Sequence, residues 1–128
     1  MLDDSTIKKF ARNVLKCNCP EEVFKTIVCE DNFQIDNSII VSHKINIGNR
    51  LLVYVSVLDE KHGWESILNE LVNSGERVRN EKGFNRFRLV FVCTNVDKIK
   101  DELNASFDRL NKDDKIHLHV IHISDFPS

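Results

Sequence analysis

Residues 38–58, SIIVSHKINIGNRLLVYVSVL, decide how the rest of the chain is read. Two runs rich in β-branched residues, 38–47 and 50–58, flank Gly48-Asn49. Gly at the first central position of a two-residue loop is the signature of a tight β-hairpin. A turn that short sets Ile47 opposite Arg50, Val41 opposite Ser56 and His43 opposite Tyr54. In that register Leu51, Val53, Val55 and Val57 share one face, and Ile39, Val41, Ile45, Leu52 and Leu58 share the other. Apolar residues on both faces predict a hairpin covered on both sides.

Working outward toward the C-terminus, Trp64, Ile67, Leu68, Leu71, Val72, Gly75 and Val78 fall at helical spacing behind Asp59, which can cap a long helix. Gly75 lies on the apolar stripe although it weakens a helix, so the stripe there approaches the sheet closely. Gly83 ends the segment, and residues 86–94 read as a strand whose Leu89-Val90-Phe91-Val92 run is buried on both faces. Val96, Ile99, Leu103, Phe107 and Leu110 mark another amphipathic helix, capped by Asn95 or Asp97, and residues 116–123 form the last strand. Toward the N-terminus, Asp3, Asp4 and Ser5 offer a cap for a first helix ending near Cys17. Pro20, Glu21 and Glu22 then open a short second helix carrying Val23, Phe24 and Ile27. Residues 28–37 show no clear period, with room for a short strand near Phe33. Right-handed crossovers make the strand–helix–strand units parallel. The predicted fold is α/β: a mixed, mostly parallel sheet with an antiparallel hairpin (38–47/50–58) and helices on its faces, residues 1–128 forming a single domain.

The composition fits that reading. A chain of 128 residues, 41% hydrophobic and 30% charged, is globular rather than disordered. Four Gly and two Pro leave no flexible linker. The net charge of −2 argues against a surface coated for non-specific nucleic-acid binding, yet leaves room for a local basic patch and does not exclude a nucleic-acid partner. No stretch approaches the roughly 20 apolar residues of a membrane span. MLDDSTIKKF lacks the apolar core of a secretory signal, and four Cys without one point to a reducing compartment, the cytoplasm.

Ligands in open α/β sheets collect beyond the carboxyl ends of the parallel strands. Those ends carry Asp59-Glu60-Lys61-His62, Cys93-Thr94-Asn95 and Ser124-Asp125. The tight register brings Asp36 to the same edge, facing Lys61 and sharing a face with Asp59. A second candidate is Cys17-Asn18-Cys19-Pro20, where a thiol at a helix N-terminus is activated for redox or metal chemistry. A metal there draws its remaining ligands from Cys29, Cys93 or a His; otherwise Cys29 and Cys93 read as small buried hydrophobes. His117 and His119 alternate onto one face of the last strand, continued by Ile121 and Ile123, either as solvated imidazoles or as two ligands of one metal. Arg77, Arg79, Arg86 and Arg88, with Lys82, outnumber Glu76 and Glu81 around Phe84 and Phe87. They are the anion-binding candidates, although cations also suit a helix C-terminus.

Asp36 followed by Asp59-Glu60-Lys61 resembles the D…(D/E)xK pattern of the restriction-endonuclease-like superfamily. The resemblance extends to element order, which in that family runs helix, strand, hairpin, helix, strand. It implies that Asp36 and Asp59 hold Mg²⁺ and that Lys61 stabilises charge or positions the attacking water. The CxCPEEVF segment at residues 17–24, with GFNRFR at residues 83–88, looks like a group of small prokaryotic proteins without an assigned activity. That resemblance implies cellular context only. No Gly-rich phosphate loop, nucleophile elbow or H-E-x-x-H occurs. The residues therefore point first to a small cytoplasmic binding or interaction protein, with a protein partner or self-association and without a clear catalytic apparatus. The alternatives are a metal-dependent nuclease-like protein using Asp36, Asp59 and Lys61 with a divalent metal, and a thiol-based redox or metal-binding protein using Cys17 and Cys19.

Overall fold

Asp3 starts the first helix through its carboxylate, which accepts the Thr6 N–H at 2.8 Å. The computed structural model describes residues 2–17, 19–35, 39–58, 64–110, 112 and 114–127. Helix α1 (Asp4–Asn13) buries Ile7, Phe10 and Ala11. It stops short of Cys17 because Lys16 adopts a left-handed conformation (φ 57°), and the Cys17 N–H closes onto the Ala11 carbonyl at 2.9 Å. A 3-10 turn, Glu21–Lys25, follows Pro20. Ile27, expected in that turn, instead opens β1 (Ile27–Gln34). The remaining elements are β2 (Ile40–Ile47), β3 (Leu51–Val57), α2 (Leu68–Lys82), β4 (Arg86–Cys93), α3 (Val96–Asp108) and β5 (Ile116–His122).

The five strands form one mixed sheet in the order β1-β2-β3-β4-β5. β1, β2 and β3 are antiparallel neighbours, whereas β3, β4 and β5 run parallel with α2 and α3 as crossovers. This is the expected α/β class with a mixed sheet. Among the described residues, no helix is long and apolar enough to cross a membrane.

The hairpin differs from the expected one by a single residue. Ile47 lies opposite Leu51, not Arg50, and His43 lies opposite Val55, not Tyr54. Gly48, Asn49 and Arg50 make the turn, with φ of 62° at Gly48 and 57° at Asn49. Side-chain and tertiary bonds hold this longer loop. Asn46 Oδ1 accepts the Asn49 N–H at 2.8 Å, and the Gly48 N–H donates to the Thr26 carbonyl at 2.7 Å. A Cβ at Gly48 would overlap the Val23 backbone. A one-residue slip exchanges faces, so Ile45 packs beside Val53 and Val55 rather than with Leu52. A second reset occurs at Asn32 (φ 52°), between the Asp31–His43 and Phe33–Val41 pairs. Cys29 and Ile45 pack on the α1 side of it, while Phe33 and Val41 pack on the α2 side.

On one face, Leu52, Tyr54, Phe87, Leu89 and Phe91 pack against Leu68, Leu71, Val72, Leu103 and Phe107. A Cβ at Gly75 would run into the Phe87 ring, so the close approach read from the stripe is present. The first turn of that region is a 3-10 helix, Trp64–Ser66, and α2 starts behind Ile67 without a side-chain cap. The expected cap, Asp59, lies outside the described residues. Gly83 closes α2 in the left-handed region (φ 75°). On the other face, Ile45, Ile47, Leu51, Val53, Val55, Val90 and Val92 pack with Ile7, Phe10, Leu15, Val23 and Phe24. Ile123 leaves the sheet in a 3-10 turn, Ile123–Asp125, and does not continue the His117–His119–Ile121 face.

Candidate functional site

Strand alternation places Arg86 and Arg88 on the α1 face of β4 ahead of Val90 and Val92, and α1 contributes to the apolar cluster that holds only the latter pair. On β5 the same face carries His117 and His119. Arg86 Nη1 lies 3.5 Å from His117 Nε2, and Arg88 Nη1 donates to His119 Nε2 at 2.9 Å. Burial, reinforced by Arg88 and His117, pushes the His119 pKa down to about 4, so its ring is neutral and accepts that bond. Arg88 Nε is buried and, among the described residues, has no hydrogen-bond partner.

Arg86 and Arg88 border a cavity of about 440 Å³. Arg86 and Arg88 come from β4, Arg50 from the hairpin loop, and Lys16, Cys17 and Cys19 from the segment after α1. Lys16 is brought there by its left-handed turn, and Arg50 by the extra residue in the hairpin loop. Four cations and no carboxylate line the cavity, and no ion pair among the described residues involves them.

A second constellation sits on β1 and β2. Asp31 lies directly opposite His43, and Cys29 precedes Asp31 by two residues on the same face. His43 Nδ1 and Asp31 Oδ1 are 2.8 Å apart, and the Cys29 thiol donates to the same oxygen at 3.5 Å. The His43 bond holds the Asp31 carboxyl below the usual carboxylate range. Burial, with the bond to Asp31, pushes the Cys29 thiol up to about 11. The Phe126 ring lies 5.5 Å from the His43 imidazole, centroid to centroid. Among the described residues, this is the one set of His, Cys and acidic side chains with three ligand atoms gathered for a metal ion.

The structure regroups the residues singled out from sequence. Arg86 and Arg88 share the cavity, but Arg77 and Arg79 ride on α2 across the sheet. Arg77 is exposed, while Arg79 is buried with Nε donating to the Asn85 carbonyl at 3.3 Å. The four arginines are therefore not one patch. Cys19 does not head an α-helix; it is joined to Cys17 by a disulfide at the cavity lip. Cys93 is buried with its thiol directed at the Ile121 carbonyl, as a small hydrophobe would be. Cys29 is not, because it faces Asp31. His117 and His119 share a face as expected, with Arg86 and Arg88 against their Nε2 atoms. Asp36, Asp59 and Lys61 lie outside the described residues. Thr94, Asn95, His122 and Asp125, at the carboxyl ends of β4 and β5, border a shallow hollow of about 480 Å³. Sequence reasoning missed Lys16, Arg50 and the Cys29–Asp31–His43 set. The i, i+2 spacing of Cys29 and Asp31 signals the last of these once β1 is recognised as a strand.

No protein-family model matches the chain, and no curated protein or solved structure matches it.

Proposed function

We propose that the chain is a binding protein for a small phosphate-bearing anion of about nucleotide size, seated in the cationic cavity. One observation carries this reading: four cations and no carboxylate border a single cavity. Gathered like charges repel one another. A bound anion relieves that repulsion. The planar guanidinium fork matches phosphate oxygens in bidentate fashion, and a cavity of about 440 Å³ falls in the range of small-molecule sites. The overall charge of −2 favours a compact anion over a nucleic-acid backbone, which the acidic remainder of the surface would repel. Calorimetric titration with ATP and with inorganic pyrophosphate at low ionic strength tests it. Saturable binding is expected, weakened about 10- to 100-fold by Arg88→Gln and falling as salt is raised. Failure of both ligands to bind, or wild-type affinity in an Arg86→Gln/Arg88→Gln double variant, removes the reading.

A second reading rests on element order. α1, β1, the β2–β3 hairpin, α2 and β4 follow as helix, strand, hairpin, helix, strand, the order of the superfamily whose D…(D/E)xK pattern Asp36 and Asp59-Glu60-Lys61 resemble. β2 begins and β3 ends at one edge of the sheet, and those residues are the sequence neighbours of these two ends. On this reading Asp36 and Asp59 bind Mg²⁺ and Lys61 positions the attacking water. Mg²⁺-dependent DNA cleavage lost in Asp59→Asn would support it; an inert wild-type protein with Mg²⁺ or Mn²⁺ would end it.

A further inference from the structure

We propose that Cys29, Asp31 and His43 form a binding site for a Zn²⁺-class transition cation, on the same face of the sheet as the cationic cavity but sharing none of its lining residues. The three donors come from two paired strands, so their spacing is set by sheet register rather than by loop conformation. Their ligand atoms all lie within 4.8 Å of one another. A tetrahedral Zn²⁺ with bonds of about 2.0–2.3 Å holds its ligand atoms roughly 3.3–3.8 Å apart. The Cys29–Asp31 separation of 3.5 Å already meets that spacing, and the 2.8 Å between Asp31 and His43 must open by less than an ångström.

In the metal-free form the donors hold one another by hydrogen bonds, which keeps them converged. Coordination replaces those bonds. The Cys29 S–H bond breaks, its proton passes to solvent, and the sulfur lone pair forms the metal–thiolate bond. The Nδ1 proton that His43 shares with Asp31 passes to solvent, so that His43, as the Nε2–H tautomer, binds through the freed Nδ1 lone pair, and Asp31 binds through a carboxylate oxygen. No change of oxidation state is involved. A thiolate, an imidazole and a carboxylate together select Zn²⁺ and its neighbours over Mg²⁺ or Ca²⁺, which prefer all-oxygen shells. The Phe126 ring flanks His43 and limits its rotation. The His43 and Asp31 side chains remain 19% and 33% accessible, so a fourth position is open to water, as in metal sites that do chemistry.

Titration of the full chain with Co²⁺ tests the site, read by thiolate-to-cobalt charge-transfer absorption and tetrahedral ligand-field bands, with Zn²⁺ as competitor. One equivalent is expected to saturate the signal and Zn²⁺ to abolish it. Cys29→Ser should remove the charge-transfer band, and His43→Ala and Asp31→Asn should each weaken binding at least tenfold. Cys17→Ser/Cys19→Ser should leave the spectrum unchanged. Circular dichroism and thermal melts confirm that each variant is folded. A wild-type protein without the band, a band that persists in Cys29→Ser, or one that vanishes only in Cys17→Ser/Cys19→Ser would overturn the assignment.

Discussion

β4 shows one side to α2 and α3 and the other to α1, and the two sides carry different chemistry. Toward α2 and α3 it presents Phe87, Leu89 and Phe91, each 0% accessible. Toward α1 it presents Arg86 and Arg88, then Val90 and Val92. Helix length accounts for the contrast. α2 has 15 residues, about 22 Å at 1.5 Å per residue, nearly the roughly 26 Å of the eight-residue β4. α1 has only 10, about 15 Å, and the left-handed Lys16 ends its run. Where the cover stops, the sheet face turns cationic. The cavity is thus a product of where a helix ends as much as of which residues lie beneath it.

Three sets of measurements break or sharpen this contrast. Phe87→Ala should cost about 3–5 kcal/mol in chemical denaturation, since it empties the ring position beneath Gly75. Anion affinity should stay within about twofold of wild type at temperatures where the variant is folded; a large loss of affinity would show that the two faces act as one unit.

The cationic side should instead respond to acid. His119 has a folded pKa of about 4 against an ordinary value of 6.5. Its folded form resists protonation, so this contribution is complete above pH 6.5 and is lost as the pH falls from there toward 4. Allowing for partial exposure, the loss is on the order of 1–2 kcal/mol. Urea melts across that window measure it. In Arg88→Met the nearby positive charge is gone, and the NMR-titrated His119 pKa should climb back toward 6.5; an unmoved value would sever the Arg88–His119 link.

The smallest effect belongs to Tyr54→Phe on the α2 side. It removes a buried hydroxyl bonded to Ser74 Oγ at 3.1 Å and should cost about 1 kcal/mol, read as a lowered Tm. Anion binding should be untouched.

Local signals made α2, β4 and the mixed sheet legible: a 3.6-residue stripe, Gly75 within it, and a four-residue apolar run. The register was not, because Asn46 Oδ1 on the Asn49 N–H and the fit of Gly48 against Val23 are absent from any turn preference. β1 escaped for a related reason. Cys29 and Phe33 would share a face in a regular strand, but Asn32 sends them to opposite sides and erases the alternation. Arg86 and Arg88 were visible as cations but grouped with their chain neighbours Arg77 and Arg79. Their actual companions, Lys16 and Arg50, arrive from distant parts of the chain. The Cys29–Asp31–His43 set needed the β1–β2 pairing, which no short-range pattern announces.

Asn32 has one more consequence. β1 is an outermost strand, with its far row of amides and carbonyls facing away from β2 and with Val28 nearby at 49% accessibility. Such a border invites a foreign strand to zip on. The bent backbone at Asn32 gives an incoming chain no straight run to follow, and Glu30 and Asp31 would meet their own counterparts in an identical copy. One residue in an unusual conformation thereby breaks the straight run of this border of the sheet.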